Sequence, residues 1–197
     1  MIGKLFIISA PSGAGKTTLV DVLISRICLF CPIRRVITYT CKQPRSSEEN
    51  GKHYHFICKR EFEDKIKHGF FMEWSQAYGY YYGSPRSVIS QVERGFSYIL
   101  IVDRLGAELI AQIYPQAILI WIYTKDIDVL RQRLAQRNSE DVKQVELRLE
   151  CARREIAEEC RAPLYRYHIL NDDFDRAVRK LEKIILQELG SDTLSHF

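Results

Sequence analysis

The residues best suited to chemistry open the chain. Phe6–Thr18 reads FIISAPSGAGKTT, and Ala10 to Thr17 places a small residue, four intervening residues and then Gly15-Lys16-Thr17. Loops of this kind usually begin on glycine; here alanine leads, while Gly13 and Gly15 keep the backbone open to close approach. The spacing lets successive backbone N–H groups across Ser12, Gly13, Ala14, Gly15, Lys16, Thr17 and Thr18 turn inward around an anion, where a helix N-terminus adds unpaired donors and a positive dipole end. Lys16 then has the reach for β and γ phosphates, and the Thr17 hydroxyl can ligate Mg²⁺. A phosphate loop does not by itself separate a kinase from an ATPase or a GTPase. A second set of cations, Lys42, Arg45, Arg133, Arg137 and Arg148, exceeds what one nucleoside triphosphate needs. Arg133 and Arg137 are spaced i, i+4, which puts them on one helix face. Any one of these arginines alone reads as a solvated charge. Together with the loop they imply two phosphorylated substrates and an in-line transfer in a cleft closed to water.

Those residues need a frame. Leu5–Ile8 is a short apolar strand before the loop, and Leu19, Val22, Leu23 and Ile27 give the following segment a helical period. Arg34–Thr40 is β-branched and alternating, which predicts one strand running into the polar loop Cys41–Gly51. Short strands over His53–Ile57, Phe70–Trp74 and Tyr78–Gly83, with a helix over Glu61–His68, lack long crossover helices and are expected to form an antiparallel patch. Beyond Pro85, helix and buried strand alternate: helix to Arg94, strand Tyr98–Val102 ending at Asp103, helix Leu105–Ile113, strand Ala117–Tyr123 and helix Ile127–Arg137. A charge-rich helix over Asn138–Arg161, a strand Tyr167–Leu170 and a closing helix Asp173–Leu189 follow. The expected class is α/β, a doubly wound parallel sheet with the small antiparallel lobe inserted. Ligands bind beyond the carboxyl ends of such strands, so the first loop, Lys42–Glu48 and Asp103 should converge.

The 197 residues suit one domain, and a formal net charge of +4 is accounted for by a phosphate-handling cleft without any nucleic acid. No apolar run approaches the roughly 20 residues of a membrane span. Met1 leads straight into the first strand, so a cytoplasmic protein with reduced thiols is expected. Cys28 and Cys31 have a metal-pair spacing, but no second pair completes a zinc site.

At this point the chain resembles the guanylate kinases over nearly its whole length. The resemblance is carried by SAPSGAGKTTL, by Gln43-Pro44-Arg45 followed by glutamate and Gly51, by Tyr54, Glu73-Trp74, GYYYGS at Gly79–Ser84, RLAQR from Arg133, and Asn171-Asp172-Asp173. It implies a P-loop kinase that phosphorylates GMP to GDP with ATP and Mg²⁺, with core segments about 1–36, 86–130 and 163–190, an acceptor-binding lobe about 37–85 and a helical lid about 131–162. It also implies guanine contacts at Thr38, Glu73, Ser84 and Asp103, acceptor-phosphate ligands at Lys42, Arg45, Tyr54 and Tyr82, and an acidic loop residue at Glu48. Arg133, Arg137 and Arg148 fall in the lid and Asn171 in the adenine pocket. Glu73 is chemically apt, because a carboxylate accepts from both N1–H and the 2-amino group of guanine, a donor pair adenine lacks. Tyr80 and Tyr81 are expected to pack within the strand.

Several positions depart from the family pattern: Lys42 replaces arginine, Cys41 threonine, Ser46-Ser47 Pro-Gly, Leu105 glutamine and Asn138 glycine. Ile101 is the largest departure, since only Asp103 remains of an Asp-x-Asp at the strand end. The expectation is GMP specificity with reduced turnover and weakened Mg²⁺ handling, unless Ile101 is simply core. Two other readings of the same residues exist. A same-fold kinase acting on ribose bisphosphate would not need the guanine set around Glu73 and Ser84. A non-enzymatic binding module would not need an intact Gly15-Lys16-Thr17.

Overall fold

An apolar strand with no polar alternation must be covered on both faces, and β1 (Leu5–Ser9) is buried along its length. The computed structural model describes residues 2–77, 79–135 and 142–190. In it β1 is the middle strand of a five-stranded parallel sheet, ordered β2 (Ile33–Arg35), β7 (Ser97–Ile101), β1, β8 (Ile118–Tyr123) and β9 (Tyr167–Leu170). Phe6 and Ile8 point to one face with Ile118, Ile120 and Ile122; Leu5 and Ile7 point to the other with Leu119 and Trp121. The first face is covered by α1 (Lys16–Ile27), α5 (Ile127–Ala135), α6 (Val142–Arg161) and α7 (Phe174–Glu188), the second by α3 (Ser87–Glu93) and α4 (Arg104–Ile113). The doubly wound arrangement is therefore as expected. Truncating a fully buried residue such as Ile8 to alanine would cost about 2–5 kcal/mol.

A second, four-stranded sheet lies between β2 and α3 in the chain, ordered β4 (Tyr54–Phe56), β3 (Thr38–Thr40), β6 (Tyr80–Pro85) and β5 (Phe71–Ala77). One face is covered by α2 (Lys59–Lys67), whose fully buried Phe62 stacks on Phe71 and Tyr81. Two expectations change here. The single strand over Arg34–Thr40 is two strands in two sheets: Val36 N–H still bonds Ile99 O at 2.8 Å, after which Thr38 pairs with Tyr54. β-branching marks extended backbone without saying which sheet receives it. The inserted sheet is also mixed, since β3 pairs β4 in parallel while β3–β6 and β5–β6 are antiparallel. Loop 41–53 has the length a parallel return needs. The expected strand at Tyr78 and the helix across Arg137 and Asn138 fall partly outside the described residues.

Candidate functional site

The phosphate loop is backbone geometry fixed by two glycines. Gly13 and Gly15 have φ of 89° and 88°, in the left-handed region, and Gly15 caps the N-terminus of α1. A Cβ on Gly15 would stand 2.9 Å from Asn171 Nδ2, so glycine is required there for space as well. Ala14 N–H bonds Pro11 O at 3.0 Å, closing the turn, and Lys16 Nζ donates to Ala10 O at 3.3 Å. The loop is braced from outside: Asn171 Nδ2 donates to Ala14 O at 2.7 Å, and Arg133 donates to Ala14 O at 3.5 Å and Asn171 O at 3.2 Å. Arg148, on α6, donates from Nη1 to Ser12 Oγ at 3.2 Å.

A cleft of about 630 Å³ runs from this loop to the inserted sheet. Ser12, Gly13, Gly15, Lys16, Thr17 and Thr18 line one end; Thr38, Lys42, Arg45, Glu48, Tyr54, Glu73 and Tyr82 line the other, with Asp103 and Arg148 between. The convergence expected beyond the strand ends is thus present. Ala14, Ser84, Arg133 and Asn171 stand behind this lining and support it, and Arg137 lies outside the described residues.

The end of the cleft at the inserted sheet is built from side chains on several elements. The β5–β6 register shifts between Phe71 and Glu73, and past this irregularity Glu73 faces Ser84, whose hydroxyl donates to Glu73 Oε1 at 2.5 Å. Glu73 is 6% exposed. Burial pushes its carboxyl up to about 7; Ser84 pulls the other way, and the Asp103 charge adds to the rise. Oε2 lies over Gly106, where an added Cβ would sit 3.1 Å from it. Asp103 caps α4, accepting from Gly106 N–H at 2.7 Å, and also accepts from Ser75 Oγ at 2.9 Å, which ties β5 to the core sheet.

In the 41–53 loop, Lys42 Nζ donates to both Glu48 oxygens, at 2.6 and 2.5 Å, and lies 4.9 Å from the Tyr54 ring centre. Desolvation lowers the Lys42 ammonium against the opposing pull of Glu48. Burial works to raise Glu48, but the Arg45 N–H at 2.9 Å and Lys42 outweigh it and hold the carboxyl below its ordinary value. Tyr82 meets Tyr54 edge-on, while Tyr81 stacks on Phe62 and Tyr80 is exposed, so of the three tyrosines it is Tyr82 that lines the cleft beside Tyr54.

Sequence reasoning missed Ser75 and Glu155. Ser75 follows Glu73 by two positions on one strand face, a signal that was available. Glu155 follows Arg148 by seven on α6, two helical turns along one stripe. It lines the cleft, and burial raises its carboxyl to about 7, with Lys16 opposing and Asp103 reinforcing the shift. Ile101 also lines the cleft but packs against the apolar cluster under α1. All six cysteines are free, Cys31 buried in the core and Cys28 exposed.

A glycine-turned phosphate loop on a parallel sheet, facing a buried carboxylate across one cleft, is the layout of a P-loop nucleotide phosphotransferase. The guanylate kinase family model matches residues 2–188, and the chain belongs to that family. It is 41% identical to a guanylate kinase of Protochlamydia amoebophila over 94% of this chain and 91% of the relative. A Nitrosospira multiformis guanylate kinase is 37% identical over 94% of this chain and 86% of its own. The crystal structure of guanylate kinase from Anaplasma phagocytophilum superposes with a TM-score of 0.77 at 26% identity, covering 95% of this chain and 86% of that one.

Proposed function

We propose that the chain transfers the γ-phosphoryl group of ATP to GMP, giving ADP and GDP. The observation that carries this is Glu73: a nearly inaccessible carboxylate, held by Ser84 and aimed into the same cleft as the phosphate loop. A desolvated carboxylate is costly unless a ligand supplies donors, and guanine offers N1–H and the 2-amino group together. Glu73, Ser84, Thr38 and Asp103 read the base; Lys42, Arg45, Tyr54 and Tyr82 hold the acceptor phosphate, with Glu48 setting the position of Lys42. The loop over Ser12–Thr18 cradles the donor phosphates, Lys16 and Arg148 stand where transferred charge develops, and Arg133 and Asn171 fix the loop and the adenine side. The lobe of about 37–85 carries the acceptor and the segment of about 131–162 is the lid.

Among the described residues no cluster of three or more acidic, histidine or cysteine side chains forms a metal cage. The donor set instead fits Mg²⁺ arriving with the nucleotide, held by Thr17 and phosphate oxygens, with Glu155 lining the same cleft. Bound there, the ion would neutralise charge on the transferring phosphates. No helix among the described residues is long and apolar enough to cross a membrane.

A coupled assay with ATP and, in parallel, GMP, AMP, CMP and UMP tests the assignment. GMP should be the acceptor, and equal use of AMP would overturn it.

A further inference from the structure

Arg104 is the first residue of α4, directly after Asp103, and only 7% of it is exposed. A guanidinium so enclosed needs partners. Its Nη2 donates to Ala162 O at 2.8 Å and lies 3.5 Å from Glu159 Oε2. Glu159 is itself buried and accepts from Leu164 and Tyr165 N–H groups, with His168 Nε2 at 2.9 Å. One turn back on α6, Glu155 lines the cleft, and the nearby Arg104 backbone N–H works against the larger effect of burial on its carboxyl. The Arg104 side chain therefore grips the C-terminal end of α6, at Glu159 and at the carbonyl just past the helix end. Arg148, which reaches Ser12, lies two turns before Glu155 on the same helix.

We propose that Arg104 is a positioning residue: by pinning the C-terminal end of α6 to the end of β7, it sets where Arg148 stands against the phosphate loop. The catalytic part of this rests on the cleft being a GMP phosphotransferase site. Leu149, Ala152 and Ile156 still pack on the core without Arg104, so the helix persists while its placement loosens. Misplacement of a charge-stabilising group by about 1 Å costs up to roughly a hundredfold in rate. The neighbouring Asp103–Ser75 bond belongs to the acceptor side and is independent of the guanidinium.

Because Arg104→Leu leaves Glu159 with one partner fewer, the test pairs it with Arg104→Leu/Glu159→Gln, which removes the buried charge as well. In folded protein, kcat should fall about tenfold or more with KM for GMP changed less than about twofold. In an Arg148→Ala background the same change should cost less than about twofold further, because the route through Arg148 is already lost. Costs that multiply, or a kcat within about twofold of wild type, overturn the proposal. Amide exchange gives a readout free of the assay: protection across 142–161 should drop about tenfold while α2 is unchanged, and unchanged α6 protection overturns the anchoring. A wild-type chain inactive on GMP would sink the functional assignment, and exchange would still decide the anchor.

Discussion

The two ends of the cleft are built by opposite means. At the phosphate-loop end, the donor end of the proposed reaction, the surface is main chain: two left-handed glycines, a helix N-terminus and one lysine, contiguous in sequence. At the other, the proposed acceptor end, it is side chain: Thr38, Lys42, Tyr54, Glu73, Tyr82 and Asp103 arrive from β3, the 41–53 loop, β4, β5, β6 and the end of β7. The first end is preorganised by backbone conformation. The second holds a buried carboxyl, Glu73, whose pKa burial raises to about 7. A main-chain site tolerates loss of neighbouring side chains but not of its glycines or its lysine, whereas a side-chain site trades stability for specificity one residue at a time.

The largest expected effect is at the donor end. Lys16→Ala should lower kcat by on the order of a hundredfold or more without unfolding the protein, read by steady-state kinetics beside a thermal melt. Near-normal activity would break the comparison, since the loop would then act without its only contiguous cation.

Glu73→Gln is next. It should cost about 2–4 kcal/mol in kcat/KM for GMP while leaving binding of a non-hydrolysable ATP analogue unchanged by calorimetry. The same change separates function from stability. A carboxyl whose folded pKa is raised from 4.5 to about 7 binds its proton more tightly when native, so the group lowers stability as pH climbs through that window. Glu73→Gln should therefore raise Tm of the free protein at about pH 8 and leave it little changed at about pH 4. An equal shift at both would mean that desolvation of the carboxylate is not what the position resists.

The donor end was legible from Phe6–Thr18 alone because its geometry is local: spacing, glycine and a following helical period state it in one stretch. The doubly wound parallel class followed from alternating buried runs and helices, while the order of the strands in the sheet came from the structure. The inserted sheet was less legible. Arg34–Thr40 crosses from one sheet to another with no turn residue to mark it, and the parallel return of β4 is a property of the 41–53 loop's path. The acceptor residues were reached through family resemblance, since no spacing links Glu73 to Ser84 or Asp103; their meeting is a product of strand register. Arg104 gave no signal at all, because a lone arginine at a helix start reads as a surface charge until Glu159 and Ala162 are seen around it.

Ile101 sharpens the comparison further, as an apolar residue lining the cleft two positions before Asp103. It packs on the core, and Asp103 and Glu155 already place acids in that cleft. Ile101→Asp should lower Tm by several degrees and bring no gain in kcat at any Mg²⁺ concentration, since a third carboxylate would be desolvated beside two others. A raised kcat or a lower Mg²⁺ requirement would show instead that an acid is missing there.

The smallest effect is expected at Lys42. Arginine could bind the acceptor phosphate in a bidentate fork, so Lys42→Arg should lower KM for GMP by a few-fold. An unchanged KM would show that the Lys42–Glu48 pair has fixed the loop around the ammonium.

The central claim is that guanine is read by the buried Glu73 carboxylate, and the proton it carries tests this directly. Calorimetry of GMP binding at about pH 6, repeated in buffers of different ionisation enthalpy, counts protons exchanged on binding. The free carboxyl is largely protonated there and must ionise to accept from two guanine donors, so the wild-type protein should release nearly one proton more per GMP than Glu73→Gln. Equal proton release by the two proteins, with GMP bound by both, would contradict the account.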